Sequence, residues 1–402
     1  MKRIERVRLY PTAHQVERLT FALDVTRELY NALLEERREA YRRRGIVLSG
    51  KAQSRELTAL RKDDARVAAV YRECEDAVLH RLDLAFNAFF RRLKRGEEAG
   101  FPRFKPARRW VQLEFPHGNR ALKFDGQQRR VTIPGIGAVR LRKGRSVPEF
   151  GRAWIVCKNE RWYACFECER AVRPLSKCET IVGIDRGVHV LAATSDGRLV
   201  TNRAFGERNR RCIARHQRAL EACTVRDAAG RVRNRHDAQR QAAALRLARA
   251  KEREANRRRD YLHKQAREIV NAAGTIALEA LNLRAMTRSA KGTLANPGSH
   301  VRAKAALNRR ILDSGFGQLE RAIAEKAEEA ARVVVRVDAR FSSQECSRCG
   351  HVARGSRRRR RFCCVRCRFT THADVNAALV IRGRAQLRAL RMPDAGVEPV
   401  TQ

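Results

Sequence analysis

Four cysteines and three acidic residues carry the chemistry legible in this sequence. Cys346-Ser347-Arg348-Cys349 and Cys364-Val365-Arg366-Cys367 are two Cys-x-x-Cys turns separated by residues 350–363. Such a turn aims two sulfurs at one centre, and a pair of turns completes a tetrahedral thiolate set for Zn²⁺. Four thiolates leave no open coordination position, so this zinc is expected to be structural. A redox dithiol competes for any single turn but not for a matched pair. Cys363 is a spare, because residue 366 is arginine. Cys165 and Cys168 share the spacing but lie in a strand-like run with no second pair nearby, so they are expected to be core or surface residues.

The acids come next. Asp185 ends the apolar run Ile181-Val182-Gly183-Ile184, Glu279 ends Thr275-Ile276-Ala277-Leu278, and Asp374 opens the helix-like Val375-Asn376-Ala377-Ala378. Taken singly, each reads equally well as a strand-end acid or a helix cap. Hydrolysis of a phosphodiester by two metals needs carboxylates gathered to hold hard cations ~4 Å apart. RNase H-like folds draw those acids from a first strand, a fourth strand and a late helix. Asp185, Glu279 and Asp374 stand in that order and in those element types. They are the candidate catalytic residues and the candidate ligands for Mg²⁺ or Mn²⁺.

Around these residues the chain is strongly basic. Lys and Arg number 87 against 44 acids, a formal net charge of +43 over 402 residues. Such a chain self-repels unless a polyanion neutralises it, and nucleic acid fits better than a membrane surface. The basic residues are spread over the whole length, and no apolar run approaches a membrane span. The N-terminal Met1-Lys2-Arg3-Ile4-Glu5-Arg6 has no apolar stretch after it, so no signal peptide is expected and the cytoplasm is the expected compartment. In such a chain the 12 cysteines read as thiols and metal ligands rather than disulfides.

The elements that must position the site follow from periodicity. Ile4–Tyr10 alternates as a strand, and Thr12 with Gln15 forms a capping box for a helix that Gly45 ends. Further helical patterns carry Leu57 and Leu60, then Val78, Leu82, Phe86, Phe89 and Phe90. After Gly100-Phe101-Pro102-Arg103-Phe104-Lys105-Pro106 come short alternating strands at 111–115, 131–133, 138–141, 153–157 and 162–167, read as a small barrel or sandwich. From residue 180 the order is three strands, charged helices with a break at Gly230, a strand, a helix near 315–331 and the strand Val333–Val337. That order is RNase H-like.

The sequence resembles the TnpB (OrfB) proteins of bacterial insertion sequences, relatives of type V CRISPR effector nucleases. The resemblance runs through Leu9-Tyr10-Pro11-Thr12, Phe101-Pro102-Arg103-Phe104-Lys105, Gly183-Ile184-Asp185-Arg186-Gly187, Arg259-Asp260-Tyr261-Leu262-His263-Lys264, Leu278-Glu279-Ala280-Leu281-Asn282 and Ala373-Asp374-Val375-Asn376. It implies a multidomain α+β and α/β protein: a RuvC-type nuclease with an inserted zinc ribbon, and an N-terminal wedge β-barrel with an inserted helical recognition module. The implied boundaries are 1–10 for the first barrel strand, 11–100 for the recognition module and 101–178 for the barrel. The nuclease takes 179–339 and 370–391, the zinc ribbon 340–369, and a tail 392–402. The implied activity is RNA-guided cutting of double-stranded DNA beside a short transposon-adjacent motif. The implied partners are a guide RNA from the transposon end, the target DNA and a separate transposase of the same element, with no membrane. Arg186 departs from the apolar residue common in the family, and Ala280 from its commoner aspartate.

Lys105, Arg108, Arg109 and Trp110 are candidate nucleic-acid contacts. So is the run Arg357, Arg358, Arg359, Arg360 and Arg361, read either as a grip on the target strand or as a flexible ribbon loop. Two other classes compete with the nuclease. A transposase or accessory transposition factor would use a similar acid cluster, and a non-cleaving guide-dependent regulator would be expected to have lost it.

Overall fold

The computed structural model describes residues 2–125, 127, 129–142 and 147–391, the side chains of 389–391 excepted; the expected tail at 392–402 lies outside the described residues. The chain divides at Arg170/Ala171 into two compact units.

In the first unit, β1 (Lys2–Tyr10) leads into α1 (Ala13–Arg44). The capping box forms as its residues dictate: the Gln15 N–H donates to Thr12 Oγ1 at 3.3 Å, and the Thr12 N–H donates to Gln15 Oε1 at 3.1 Å. Gly45, at φ +63°, closes the helix in the left-handed conformation. Helices α2 (Gly50–Asp63), α3 (Ala65–Ala68) and α4 (Arg72–Lys94) follow. Leu57, Val78 and Leu82 are buried, whereas Leu60 is exposed. Phe86, Phe89 and Phe90 make an aromatic cluster with Phe101, joined to the core through Phe86.

The rest of this unit is β2 (Gln112–Phe115), α5 (Gly118–Ala121), β3 (Lys123–Phe124), β4 (Arg130–Ile133), β5 (Gly137–Leu141), β6 (Phe150–Lys158) and β7 (Arg161–Glu169). The strands form one sheet in the order β2-β6-β7-β1-β5-β4-β3. β1 is its pivot, pairing with β7 through Lys2–Arg8 and with β5 through Leu9 and Tyr10. Among the described residues β2 and β3 remain the two edges, so the expected barrel is a half-barrel sheet. Along β7 the period of two buries Trp162, Ala164, Phe166 and Cys168. Cys165 and Cys168 therefore face opposite sides, which rules out a shared metal.

The second unit begins its sheet with β8 (Ile181–Asp185), β9 (Val190–Thr194) and β10 (Leu199–Thr201). Two long helices, α6 (Phe205–Ala222) and α7 (Ala238–Ala272), precede β11 (Thr275–Glu279). Then come α8 (Leu283–Met286), α9 (Val301–Ser314), α10 (Phe316–Glu329) and β12 (Val333–Val337). A small ribbon of β13 (Arg357–Arg358), β14 (Arg361–Cys363) and β15 (Thr370–His372) runs into α11 (Ala373–Arg391). The main sheet has the order β10-β9-β8-β11-β12, with β11 parallel to both β8 and β12. Parallel neighbours need helical crossovers, which α7 and α10 supply. Their residues Leu262, Ile269, Leu319 and Ile323 pack on Val182, Ile184, Ile276 and Leu278.

The opposite face of the sheet carries α11, and Gly183 decides how close it lies. A Cβ at this position would sit 2.1 Å from the Ala378 carbonyl oxygen and 2.5 Å from the Arg382 nitrogen, both backbone atoms of α11. Neither can yield without moving the helix. Gly183→Ala is expected to cost about 3 kcal/mol by overpacking, seen as a lowered melting temperature. An unchanged melting temperature would show that α11 can stand off from β8.

Candidate active site and zinc ribbon

Sheet order places the three acids. β8 and β11 are adjacent and parallel, so Asp185 and Glu279, each the last residue of its strand, emerge at the same edge of the sheet. Asp374 lies in the first turn of α11, the helix packed across β8. Burial, then the charges of Glu279 and Asp374, push the Asp185 carboxyl up to about 7, against the partial relief of Arg357 and Arg186. Burial also raises Glu279, with Arg186 opposing. Asp374 does not serve as a helix cap. Its Oδ1 accepts a hydrogen bond from Arg357 Nη2 at 2.7 Å.

Three oxygen-donor carboxylates that repel one another and are partly withdrawn from water suit hard divalent cations. They are not drawn tightly together: among the described residues, the group whose ligand atoms all lie within 4.8 Å is the four cysteines. The repulsion has a pH signature. Folding raises Asp185, so the metal-free fold is favoured while that carboxyl is protonated and loses the advantage as pH climbs from about 4 to about 7. In zinc-replete protein without added Mg²⁺ or Mn²⁺, the melting temperature is expected to fall across that window, and added Mn²⁺ should restore it. A flat profile would mean that the charges are already relieved within the protein.

Behind the acids lies a buried polar network. The Arg186 side chain is fully buried, with Nη1 donating to Glu320 Oε2 at 2.7 Å and Nη2 donating to the Glu279 carbonyl. Burial would raise Glu320, but Arg186 and Arg336 outweigh it and hold the carboxyl below its usual range. Nothing in the sequence marks Glu320, which is one of several acids along α10.

The ribbon brings together the four predicted cysteines. Cys346 and Cys367 Sγ lie 3.6 Å apart, as do Cys349 and Cys364 Sγ. Sulfurs held ~2.3 Å from one tetrahedral centre would be about 3.8 Å apart, so the set fits Zn²⁺. Backbone N–H groups of Cys367 and Arg366 help to hold the Cys364 thiol down at about 6, a thiolate ready to ligate. Cys363, on β14, lies outside the set. Asn376 ties the ribbon to α11: its Nδ2 donates to the Glu345 carbonyl at 2.6 Å, and its Oδ1 accepts from the Ser347 N–H at 3.1 Å. Sequence reasoning passed over this residue, although it lies two positions after Asp374.

The predicted basic contacts separate into two kinds. Arg108 and Arg109 are exposed, as are Arg358 to Arg361 on the β13–β14 hairpin. Lys105 is only half-buried and is pinned through its backbone to the Asn31 side chain. Arg357 turns inward to Asp374. Trp110 is not available to nucleic acid: it is buried, its indole N–H donates to Thr26 Oγ1 at 2.9 Å, and Arg81 lies over its ring.

An RNase H-like sheet with acids at the ends of its first and fourth strands, followed by a four-cysteine ribbon and a helix, defines a RuvC-type protein with a zinc-binding domain. Three family models match the chain: OrfB_IS605, "Probable transposase", over residues 163–290; its "Helix-turn-helix domain" over 1–45; and "Cas12f1-like, TNB domain" over 316–381. "Putative RNA-guided DNA endonuclease InsQ" of Escherichia coli (strain K12) is 33% identical over 320 residues, covering 78% of this chain and 75% of that one. A Streptomyces pristinaespiralis protein named "Putative RNA-guided DNA endonuclease" is 27% identical over 360 residues, covering 88% and 81%. The solved structure of the mini-RNA-guided endonuclease CRISPR-Cas_phi3 matches at TM-score 0.50 and 8% identity, covering 96% of this chain and 92% of that one, a likeness of fold. This chain belongs to the TnpB (OrfB) family, related to the type V effectors. The residues matched by the helix-turn-helix model fold here as one strand and one continuous helix.

Proposed function

We propose that this protein is an RNA-guided, divalent-metal-dependent DNA endonuclease of a bacterial insertion sequence, cutting double-stranded DNA beside a short transposon-adjacent motif. The observation that carries this reading is the placement of Asp185 and Glu279 at the same ends of two adjacent parallel strands, with Asp374 in the first turn of the helix packed across them, where the charges of Glu279 and Asp374 raise the Asp185 carboxyl. The endonuclease names of its relatives support it.

The three carboxylates are the residues that would hold Mg²⁺ or Mn²⁺. Cations bound there would supply an activated water and stabilise the leaving oxygen of a phosphodiester. The chain itself contributes position and charge. β8 and β11 fix two acids at one sheet edge, and α11 brings the third. Arg357 holds Asp374 in place and leaves a cation beside the acids, which a phosphate entering the site would meet. The zinc ribbon, residues 340–369, is structural.

The net charge of +43 suits long phosphate backbones. The partners are a guide RNA from the transposon end and the target DNA, recognised through duplex shape and phosphates. Helices α1 to α4 act as the recognition module within residues 11–100, and the half-barrel as the wedge within 101–178. A separate transposase of the same element carries out strand transfer, and the compartment is the cytoplasm. Among the described residues no helix is long and apolar enough to cross a membrane.

The test is to purify the protein from cells carrying its flanking DNA, sequence the bound RNA, and offer plasmids with matched or mismatched targets. A discrete RNA from the element's end, with Mg²⁺-dependent cutting of matched plasmid alone, is expected. Joining of transposon ends without RNA would instead establish a transposase. Mixed RNA with intact plasmids would leave a regulator.

A further inference from the structure

Arg186 follows the first acid directly, and its side chain has no exposure to solvent. A buried guanidinium is unfavourable unless its charge and N–H groups are answered. Here the charge and the two terminal nitrogens are answered by specific partners on two other elements, while Nε is buried with no hydrogen-bond partner among the described residues. Glu320 on α10 takes Nη1 at 2.7 Å, and the main-chain carbonyl of Glu279 on β11 takes Nη2 at 2.5 Å. The backbone N–H of Arg186 also donates to Glu279 Oε1 at 3.3 Å. One residue therefore holds both the main chain and the carboxylate of Glu279, while its own backbone continues from Asp185. Glu320 is fixed in turn by Arg336 of β12, at 2.6 Å.

An apolar side chain would fill this volume without burying a charge. We infer that Arg186 is a positioning residue: with Glu320 as its anchor, it sets the spacing and orientation of Asp185 and Glu279 for divalent-cation binding. The inference rests on the proposed role of the acids as cation ligands. Partners that orient metal ligands from behind typically carry 10–100-fold in affinity or activity, and that range is expected here. The guanidinium acts through geometry as well as charge, since its planar fork sets two separate nitrogens in fixed directions toward acceptors on different elements, a placement that the single nitrogen of an ammonium does not reproduce.

Two variants test this in the guide-loaded, zinc-replete protein. Arg186→Met combined with Glu320→Met removes both buried charges together, so that neither is left unpaired. Arg186→Lys keeps the charge and loses the fork. Mn²⁺ binding is read by electron paramagnetic resonance against an Asp185→Ala control, beside melting temperature and single-turnover cleavage. Both variants are expected to melt within a few degrees of the parent, to weaken Asp185-dependent Mn²⁺ binding about 10–100-fold, and to slow cleavage to match. Parental Mn²⁺ affinity in the double variant, or full rescue by lysine, would overturn the tether while leaving the endonuclease intact. Absence of Asp185-dependent Mn²⁺ binding in the parent would bring down the acid site itself, and the tether with it.

Discussion

Asp185→Asn is expected to abolish DNA cutting, to leave guide and target binding within about threefold of the parent, and to make the metal-free protein more stable. The first effect follows from losing a ligand where cations supply several kcal/mol of transition-state stabilisation. At 1.36 kcal/mol per tenfold, that is a loss on the order of 10³-fold or more. The second follows because Asp185 sits at the end of an internal strand, and phosphate affinity comes from the many arginines elsewhere. The third is the more revealing. Burial and two neighbouring carboxylates push Asp185 up to about 7, so its ionised form works against the fold at pH 8. Asparagine keeps the shape and removes the charge, a gain on the order of 2–4 kcal/mol. A functional site held against its own repulsion shows this exchange of stability for activity. Cleavage at the parental rate would end the assignment of Asp185. Lost cleavage with lowered stability would instead mark it as a structural acid.

What the sequence made legible was local or periodic. Thr12 with Gln15 announced the start of α1, because both halves of a capping box lie within one turn. Two Cys-x-x-Cys turns announced four converging sulfurs, because each turn fixes its own pair. The acids could be placed at strand ends and at a helix start because apolar runs stop there. What stayed hidden depends on partners far away in sequence. The edges of the half-barrel are set by β1 switching from β7 to β5 between Arg8 and Leu9, which no local pattern encodes. Trp110 looked like a nucleic-acid contact beside three cations, yet Thr26 and Arg81 enclose it from two different helices. Arg357 read as one of five equivalent arginines until the β13–β14 hairpin turned it alone onto Asp374. α9 forms over Val301–Ser314, for which the sequence predicts no element, with only Ile311 and Ser314 buried.

Cys364→Ser is expected to empty the zinc site, open the ribbon to protease and reduce cleavage at least about 100-fold, while the first unit keeps its fold. The ribbon's own core is Phe362, Ala373 and the sulfurs themselves, with Phe369 packed against it. So small a core cannot fold a segment without a further staple. Structural zinc supplies that staple, with binding free energies of about 10–16 kcal/mol in isolated zinc-finger peptides. The consequence for catalysis runs through three connections. β15 passes directly into α11 one residue before Asp374. Asn376 is held at both ends of its amide by Glu345 and Ser347, which flank the first cysteine of the ribbon. Arg357, on the ribbon's first strand, holds the Asp374 carboxylate. Melting the ribbon removes all three restraints, leaving α11 placed only by its packing on the sheet. Zinc content by mass spectrometry, limited proteolysis over 345–372 and single-turnover cleavage would be measured on one preparation. A zinc-free protein that still cuts at the parental rate would show that the close contact at Gly183 suffices to position Asp374. The ribbon would then serve the nucleic acid and not the acids.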